Sequence, residues 1–408
     1  MSESLLLRAP VQPFRTEVFL PSSKSESNRA LILAALSRGS VKIENLSEAK
    51  DTQVLSQVLS QLPDEIDIGD AGTAMRFLTA FLAFQQNRDY VLTGSTRMQE
   101  RPIGLLVDAL RRMGADIAYM DREGFPPLMI FGRNARFGDS SIEIPGHVSS
   151  QYISALLLIA PTLTDGLEIT ITGKVSSRPY IDLTLALLEA CGVHCERRDN
   201  VLRIPRQSFR PTTLRIAPDW SAASYWYSIV GLAPLGTEVL LHGLGGVPRQ
   251  GDSRIRDLML PLGVATADHP EGLLLSRQSP AEAPPSTLDF TDCPDLAQTV
   301  IVYCAAQGIP RTFTGLESLR IKETDRIAAL DTELRKLGVS LAETADGWSL
   351  RGVFTPAQVA VDTYGDHRMA MAFAPLVFKT GGLTIRHREV VAKSYPKFWQ
   401  DLERAGMV

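Results

Sequence analysis

Lysine, arginine and hydroxyl side chains recur in this 408-residue chain at the points where an apolar run begins. Residues 22–29 read Ser-Ser-Lys-Ser-Glu-Ser-Asn-Arg and lead straight into the apolar stretch 30–36. A helix start presents four backbone N–H groups without intrahelical partners, together with the positive end of the macrodipole. Phosphate or carboxylate is what such a mouth holds, and Lys24, Ser25 and Arg29 would add charge and a hydroxyl to it. Alone, the octapeptide fits a Ser-capped surface helix equally well; its recurrence carries the weight. Gly69-Asp70-Ala71-Gly72-Thr73 places glycine before a hydroxyl, where backbone N–H groups can approach an anion closely. Arg101 stands before Pro102 at another candidate start, and Ser149-Ser150-Gln151-Tyr152 opens a third. Ser176-Ser177-Arg178-Pro179-Tyr180 repeats the Arg-Pro arrangement.

The second half adds acids. Asp295 follows Pro294, Lys322-Glu323-Thr324-Asp325-Arg326 precedes a helix-like run, Asp366-His367-Arg368 precedes the apolar stretch 369–373, and Lys393 stands before Tyr395-Pro396. An N-cap explains Asp295, and a solvated face explains 322–326, as readily as chemistry does. Cations at helix mouths are different, because the dipole disfavours them there. They mark an anionic ligand. Lys24, Arg29, Arg101, Lys322, Arg326, Arg368 and Lys393 exceed the need of one monoanion. They fit a small polar ligand set with two phosphates, or a phosphate plus a carboxylate.

The elements that must position these residues form a repeat. A helix followed by glycine, the signal of a left-handed C′ residue, ends at Gly114, Gly192, Gly263, Gly338 and Gly406, with spacings of 78, 71, 75 and 68 residues. Helix starts near Ser25, Thr73, Ser149, Ser221, Asp295 and Asp366 precede β runs at 41–46, 90–94, 167–173, 238–243, 311–315 and 383–388. The count predicts six βαβαββ units, the first shortened, in two α/β domains of three. A division near 216–219 gives one domain over 22–217 and another over 1–21 plus 218–408, with a strand at 16–20 pairing outside the first unit. A cleft between the domains, ringed by helix N-termini, is the expected ligand site.

Composition bounds the rest. With 44% hydrophobic and 22% charged residues the chain reads as an ordinary soluble protein, too long for one core. A net charge of −4 gives no reason to expect nucleic acid. Four cysteines without a CxxC pair read as reduced thiols of a cytoplasmic protein. No apolar run suits a signal peptide or a membrane span. Six scattered histidines argue against a metal.

In this order the motifs closely resemble those of the 5-enolpyruvylshikimate-3-phosphate synthase family of enolpyruvyl transferases. They are Ser-Lys-Ser-x-Ser-Asn-Arg at 23–29, Asp-Ala-Gly-Thr-Ala-Met-Arg at 70–76, Arg-Met-x-Glu-Arg-Pro-Ile-Gly at 97–104 and Ser-Ser-Gln-Tyr at 149–152. Arg-Pro-Tyr-Ile-Asp at 178–182, Lys-Glu-Thr-Asp-Arg at 322–326, Asp-His-Arg-Met-Ala-Met at 366–371 and Ala-Lys-Ser-Tyr-Pro at 392–396 continue them. The resemblance implies two inside-out α/β domains, each of three βαβαββ repeats, with the active site in the interdomain cleft. It implies attack of the 5-hydroxyl of shikimate 3-phosphate on C2 of phosphoenolpyruvate, a tetrahedral intermediate and loss of phosphate. Neither a metal nor an organic cofactor is implied, nor a partner beyond these small molecules, and the family expectation is a monomer that is the target of glyphosate.

Carried over by position, Lys24, Ser25, Arg29, Ser149, Ser150, Gln151, Ser177, Tyr180, Asp295, Ser318 and Lys322 would hold shikimate 3-phosphate. Lys24, Gly72, Arg101, Gln151, Arg326, Arg368 and Lys393 would hold phosphoenolpyruvate. The catalytic set would be Asp295, accepting the hydroxyl proton, Glu323, delivering protons at the methylene carbon, and Lys24. Phe77 stands where proline is common, and Ser318 where many members carry asparagine. A transferase acting on UDP-N-acetylglucosamine shares the fold but usually carries a cysteine in the loop that holds 97–101 here. A non-catalytic anion binder on the same fold would have no use for Asp295 and Glu323.

Overall fold

A computed structural model describes residues 3–85, 88–135, 138–147, 149–280 and 285–408. It divides into two compact units, residues 22–216 and residues 1–21 with 217–408. The chain therefore passes between units twice, at 21–22 and at 216–217. Each unit has its own hydrophobic core.

Both units put helices at the centre and sheets outside, and the sequence says why. A helix that is apolar all round has no face for water. Gly72–Ala83 is buried at eleven of its twelve positions, and Ser150–Ile159 packs against it. In the other unit Ala297–Ala306 and His367–Phe373 are buried along their whole length, and Trp220–Leu232 nearly so. The second helix of each repeat is amphipathic instead. Gly104–Arg112 buries Leu106, Val107, Ala109 and Leu110 and leaves its arginines outside. Strands such as Leu167–Thr172 alternate buried and accessible positions, one face on the helices and one outward.

Four of the sheets share one strand order. In the second repeat Glu65–Asp67 pairs parallel with Asp89–Thr93, which pairs antiparallel with Leu128–Phe131, itself antiparallel to Ile117–Tyr119. The third, fourth and fifth repeats copy this arrangement. In the fourth the leading strand is Arg15–Phe19, parallel to Glu238–His242, so the predicted N-terminal strand pairs in the unit containing 217–408. Shortening occurs at both ends of the chain, where the sequence suggested only the first. The first repeat keeps Val41–Glu44 with Thr212–Arg215. The sixth keeps Val359–Val361 and Leu383–Ile385, completed by Leu5–Leu7. All five glycines that end the repeated helices have φ between 74° and 99°, a region where a Cβ is strained. Among the described residues no helix is long and apolar enough to cross a membrane.

In each four-stranded repeat of residues 22–216 the leading strand runs into the mouth of a buried helix, from Glu65–Asp67 to Gly72–Ala83 and from Ser141–Pro145 to Ser150–Ile159. That connection sets the candidate residues at one end of the strands, where α/β folds place ligands.

Candidate active site

In the unit formed by 22–216, Ser23 caps helix Lys24–Leu36 by accepting from Glu26 N at 3.2 Å. Lys24 opens the helix and its Nζ lies 3.1 Å from Asp51 Oδ2, a buried carboxylate on Lys50–Gln61. Arg29, one turn further on, is committed to the protein. Its Nε donates to Thr184 Oγ1 (2.7 Å), Nη1 to Ser25 O (2.9 Å), and Nη2 to Ser154 Oγ (3.1 Å) and Tyr180 O (3.2 Å). Burial brings its pKa down to about 10, and its guanidinium lies 5.4 Å from the centroid of Phe77. Arg29 thus ties Ser25 and Tyr180 together, leaving at most one N–H for a ligand. Phe77 lies beneath it.

Gly72 begins the next buried helix, and a Cβ there would lie 2.5 Å from Arg101 Nη1. The guanidinium occupies the place a side chain would take, so any Cβ at Gly72 has to displace it. Arg101 is 6% exposed, its Nε has no hydrogen-bond partner, and among the described residues its side chain makes no ion pair. The loop beneath is fixed by Pro102 O, which accepts from Tyr152 OH (2.5 Å) and Arg76 Nη2 (3.2 Å). A buried cation without a carboxylate is costly unless something anionic comes to it. Ser149 caps Ser150–Ile159, and Gln151 Nε2 donates to Thr73 Oγ1 at 3.3 Å. Ser150 is buried, while Ser177, in the left-handed region at φ 56°, precedes helix Arg178–Ala190 and Tyr180.

The unit containing 217–408 gathers the acids. Arg326, 1% exposed, opens helix Arg326–Arg335 and donates from Nε to Asp366 Oδ2 (2.7 Å), from Nη1 to Asp295 Oδ1 (3.2 Å) and from Nη2 to Glu323 Oε2 (2.8 Å). Arg368 donates from Nη2 to Asp295 Oδ2 (2.8 Å) and from Nη1 to Asp295 O (3.1 Å). It is braced by Tyr225 OH at 3.3 Å and Ser221 Oγ at 3.4 Å. Lys322 Nζ is 3.9 Å from Asp295 Oδ1, and Lys393 Nζ is 3.6 Å from Glu323 Oε1. Ser318 is half-buried in the 3-10 turn Glu317–Ile321, one residue before Leu319 enters the core.

Arg326 and Arg368 therefore differ from what their places at helix mouths suggest. The dipole's penalty is met by carboxylates from other parts of the chain, so neither depends on a ligand for its counter-charge. Burial works against an ionised Asp295, but Arg368, Lys322 and Arg326 outweigh it and hold its carboxyl well below the usual range. Arg326 loses hydration on burial and is held charged by Asp366, Glu323 and Asp295.

Several contributors escaped the sequence reading. Asp51 lies on a different helix from Lys24. Asp366, two residues before Arg368, both caps His367–Phe373 and holds Arg326, a pairing that no local spacing announces. Asp252, in the 3-10 turn Gly251–Arg254, accepts a short hydrogen bond from Ser221 Oγ, the hydroxyl that braces Arg368. Burial, and next the charge of Asp295, push Asp252 up to about 6. No spacing rule joins 252 to 295 or 366.

Two outcomes follow from this geometry. Arg326→Ala strands three acids and is expected to lower stability by about 3–5 kcal/mol, whereas Arg101→Ala breaks no ion pair and should shift it by less than about 1 kcal/mol. Urea unfolding of both variants checks the contrast, and equal losses contradict it. For Asp252, a carboxyl whose pKa is raised by folding stabilises the fold at low pH and loses that contribution as the pH rises through the folded value. Asp252→Asn keeps an acceptor for Ser221 and should gain on the parent by on the order of 1–3 kcal/mol between pH 4 and 7. A stability difference that stays constant over that range contradicts it.

Known proteins resemble this chain throughout its length. The family described as EPSP synthase (3-phosphoshikimate 1-carboxyvinyltransferase) matches residues 9–67 and 61–402. The 3-phosphoshikimate 1-carboxyvinyltransferase of Bacteroides fragilis (strain YCH46) is 47% identical over 405 residues, 98% of this chain and 97% of that protein. That of Shewanella halifaxensis is 36% identical over 420 residues, 96% of each. Among solved structures, EPSP synthase from Acinetobacter baumannii superposes with a TM-score of 0.75 at 21% identity, covering 99% of this chain and 98% of that one. The enolpyruvyl transferase NikO from Streptomyces tendae gives 0.71 at 17% identity, with coverage of 100% and 98%; at these identities the structures speak for the two-domain inside-out fold. The chain belongs to the EPSP synthase family.

Proposed function

We propose that the chain transfers the enolpyruvyl group of phosphoenolpyruvate to the 5-hydroxyl of shikimate 3-phosphate and releases phosphate, in the shikimate route to chorismate and the aromatic amino acids. The observation that carries this reading is the pair Asp295 and Glu323 held on one buried guanidinium, Arg326. Addition to an enol carbon needs one group to take a proton from the nucleophile and another to give one to the methylene carbon.

In the reading, Lys24, Ser25, Ser149, Ser150, Gln151, Ser177, Tyr180, Ser318 and Lys322 hold shikimate 3-phosphate. Arg29 serves that set chiefly by fixing Ser25 and Tyr180, as its hydrogen bonds suggest. Arg101, packed against Gly72, together with Arg326, Arg368, Lys393, Lys24 and Gln151, receives phosphoenolpyruvate. Asp295 is a poor base while three cations hold it ionised. An arriving carboxylate and phosphate compete for those cations, and every hydrogen bond diverted to substrate makes Asp295 more basic. The 5-hydroxyl then adds to C2 and its proton passes to Asp295, while Glu323, which takes up a proton from solvent as the substrate anion competes for Arg326 and Lys393, gives that proton to C3. In the second half the C2–O bond to phosphate breaks, Glu323 recovers a proton from C3, and the double bond re-forms. The hydroxyl's proton departs with the phosphate, whose charge Lys24 offsets. Stabilisation of that charge by fixed cations is the larger catalytic term.

Phosphate release from shikimate 3-phosphate and phosphoenolpyruvate tests the reading. Turnover with UDP-N-acetylglucosamine instead would assign the sister activity, and no turnover with either acceptor a binding role. Glu323→Gln is expected to lower kcat by ~10²–10⁴-fold with little change in shikimate 3-phosphate affinity. A near-normal kcat contradicts the proton-transfer role. Gly72→Ala pushes the Arg101 guanidinium aside, so affinity for phosphoenolpyruvate should fall and that for the phosphonate glyphosate should fall further. The melting temperature should scarcely move, because only the end of a flexible side chain is displaced; unchanged affinity for both ligands contradicts this.

A further inference from the structure

Lys393 ends the 3-10 turn Arg388–Lys393, a short element with little hydrogen bonding of its own to fix its place. The turn is instead held from outside at both ends. At its start, Trp399 Nε1 donates to Arg388 O at 2.7 Å. Just past its end, Tyr395 N donates to Val391 O at 2.8 Å, and the Tyr395 ring is 1% exposed. The Tyr395 hydroxyl donates to Asp401 Oδ2 at 2.6 Å and accepts from Trp226 Nε1 at 3.3 Å. Trp226 lies on helix Trp220–Leu232, the helix that presents Ser221 and Tyr225 to Arg368. Phe398 packs edge-on against both Tyr225, at 5.9 Å, and Tyr395, at 5.4 Å.

Asp401 is 3% exposed, with Oδ1 paired to Arg404 and Oδ2 accepting from the Tyr395 hydroxyl, so both oxygens of this buried carboxylate are committed. We infer that the hydrogen-bonded chain Trp226–Tyr395–Asp401 is a positioning device that fixes the Lys393 ammonium in register with Arg368 for phosphoenolpyruvate. The inference rests on the reading of Lys393 and Arg368 as phosphoenolpyruvate cations. None of the three residues touches the substrate; they act through the turn and through the helix.

Tyr395→Phe keeps the ring and removes the hydroxyl. Steady-state kinetics should show the phosphoenolpyruvate KM raised on the order of tenfold, with the shikimate 3-phosphate KM unchanged. A merely structural hydroxyl would lower the active fraction and the melting temperature and leave both KM values alone. Lys393→Met should raise the same KM further, and the double variant Tyr395→Phe/Lys393→Met should be no worse than Lys393→Met, because the tyrosine acts through the lysine. Should Tyr395→Phe fold poorly, Tyr395→Phe/Asp401→Asn, which lowers the cost of the buried Oδ2 left without its donor while Oδ1 stays beside Arg404, replaces it with the same expectations. An unchanged phosphoenolpyruvate KM in the tyrosine variant beside a raised one in Lys393→Met overturns the positioning role, as do effects that multiply in the double variant. An unchanged KM in Lys393→Met overturns the reading of Lys393 itself, and the positioning role with it.

Discussion

A guanidinium removed from water is stable only where its charge and its N–H groups are matched, and Arg326 meets that demand with three carboxylates. Asp366, Asp295 and Glu323 come from three separate stretches of chain and converge on one side chain. The convergence fixes the distance between the two acids read as proton carriers. It also anchors the mouths of two helices, because Asp366 caps one and Arg326 opens the other. Arg368 and Lys322 then attach to Asp295, and Lys393 to Glu323. The acids proposed as proton carriers and the cations around them are one electrostatic object.

That construction answers a difficulty in any cationic site. Four like charges in a small volume repel, and without ligand they would drive the fold apart or draw in stray anions. Here the acids hold the cations in place, and substrate anions must compete with them. In the proposed reading the cost is affinity, and the return is that Asp295 stays silent until phosphoenolpyruvate draws its cations away. In the unit of residues 22–216 the solution differs. Lys24 keeps Asp51 as a counter-charge, whereas Arg101 is packed on Gly72 and makes no ion pair among the described residues.

Much of this could be read from the chain before any coordinates. Glycines at 114, 192, 263, 338 and 406 mark helix ends because a left-handed residue leaves a local signature, and all five have positive φ. Buried helices such as Gly72–Ala83 announce themselves by being apolar all round. What was not legible is partnership at a distance. Arg326 and Arg368 looked like cations awaiting a ligand because nothing local reveals Asp295 and Asp366 as their counter-charges. Arg29 looked like a ligand contact, yet most of its N–H groups are spent on Thr184, Ser154, Ser25 and Tyr180. No local pattern reveals Asp252, because its link to Arg368 runs through Ser221. Helix periodicity and capping are local physics, while charge pairing in a core is set by topology.

The titration of Asp295 tests the central claim most directly. With aspartate carboxyls labelled with carbon-13, NMR can follow that carboxyl in the free protein and with shikimate 3-phosphate and glyphosate, a pair that cannot react. In the free protein Asp295 is expected to remain ionised at every pH at which the fold survives, and with both ligands bound its pKa should rise. An Asp295 that titrates near 4 in the free protein, or one whose titration ignores the ligands, would contradict the gating of the base by its own cations.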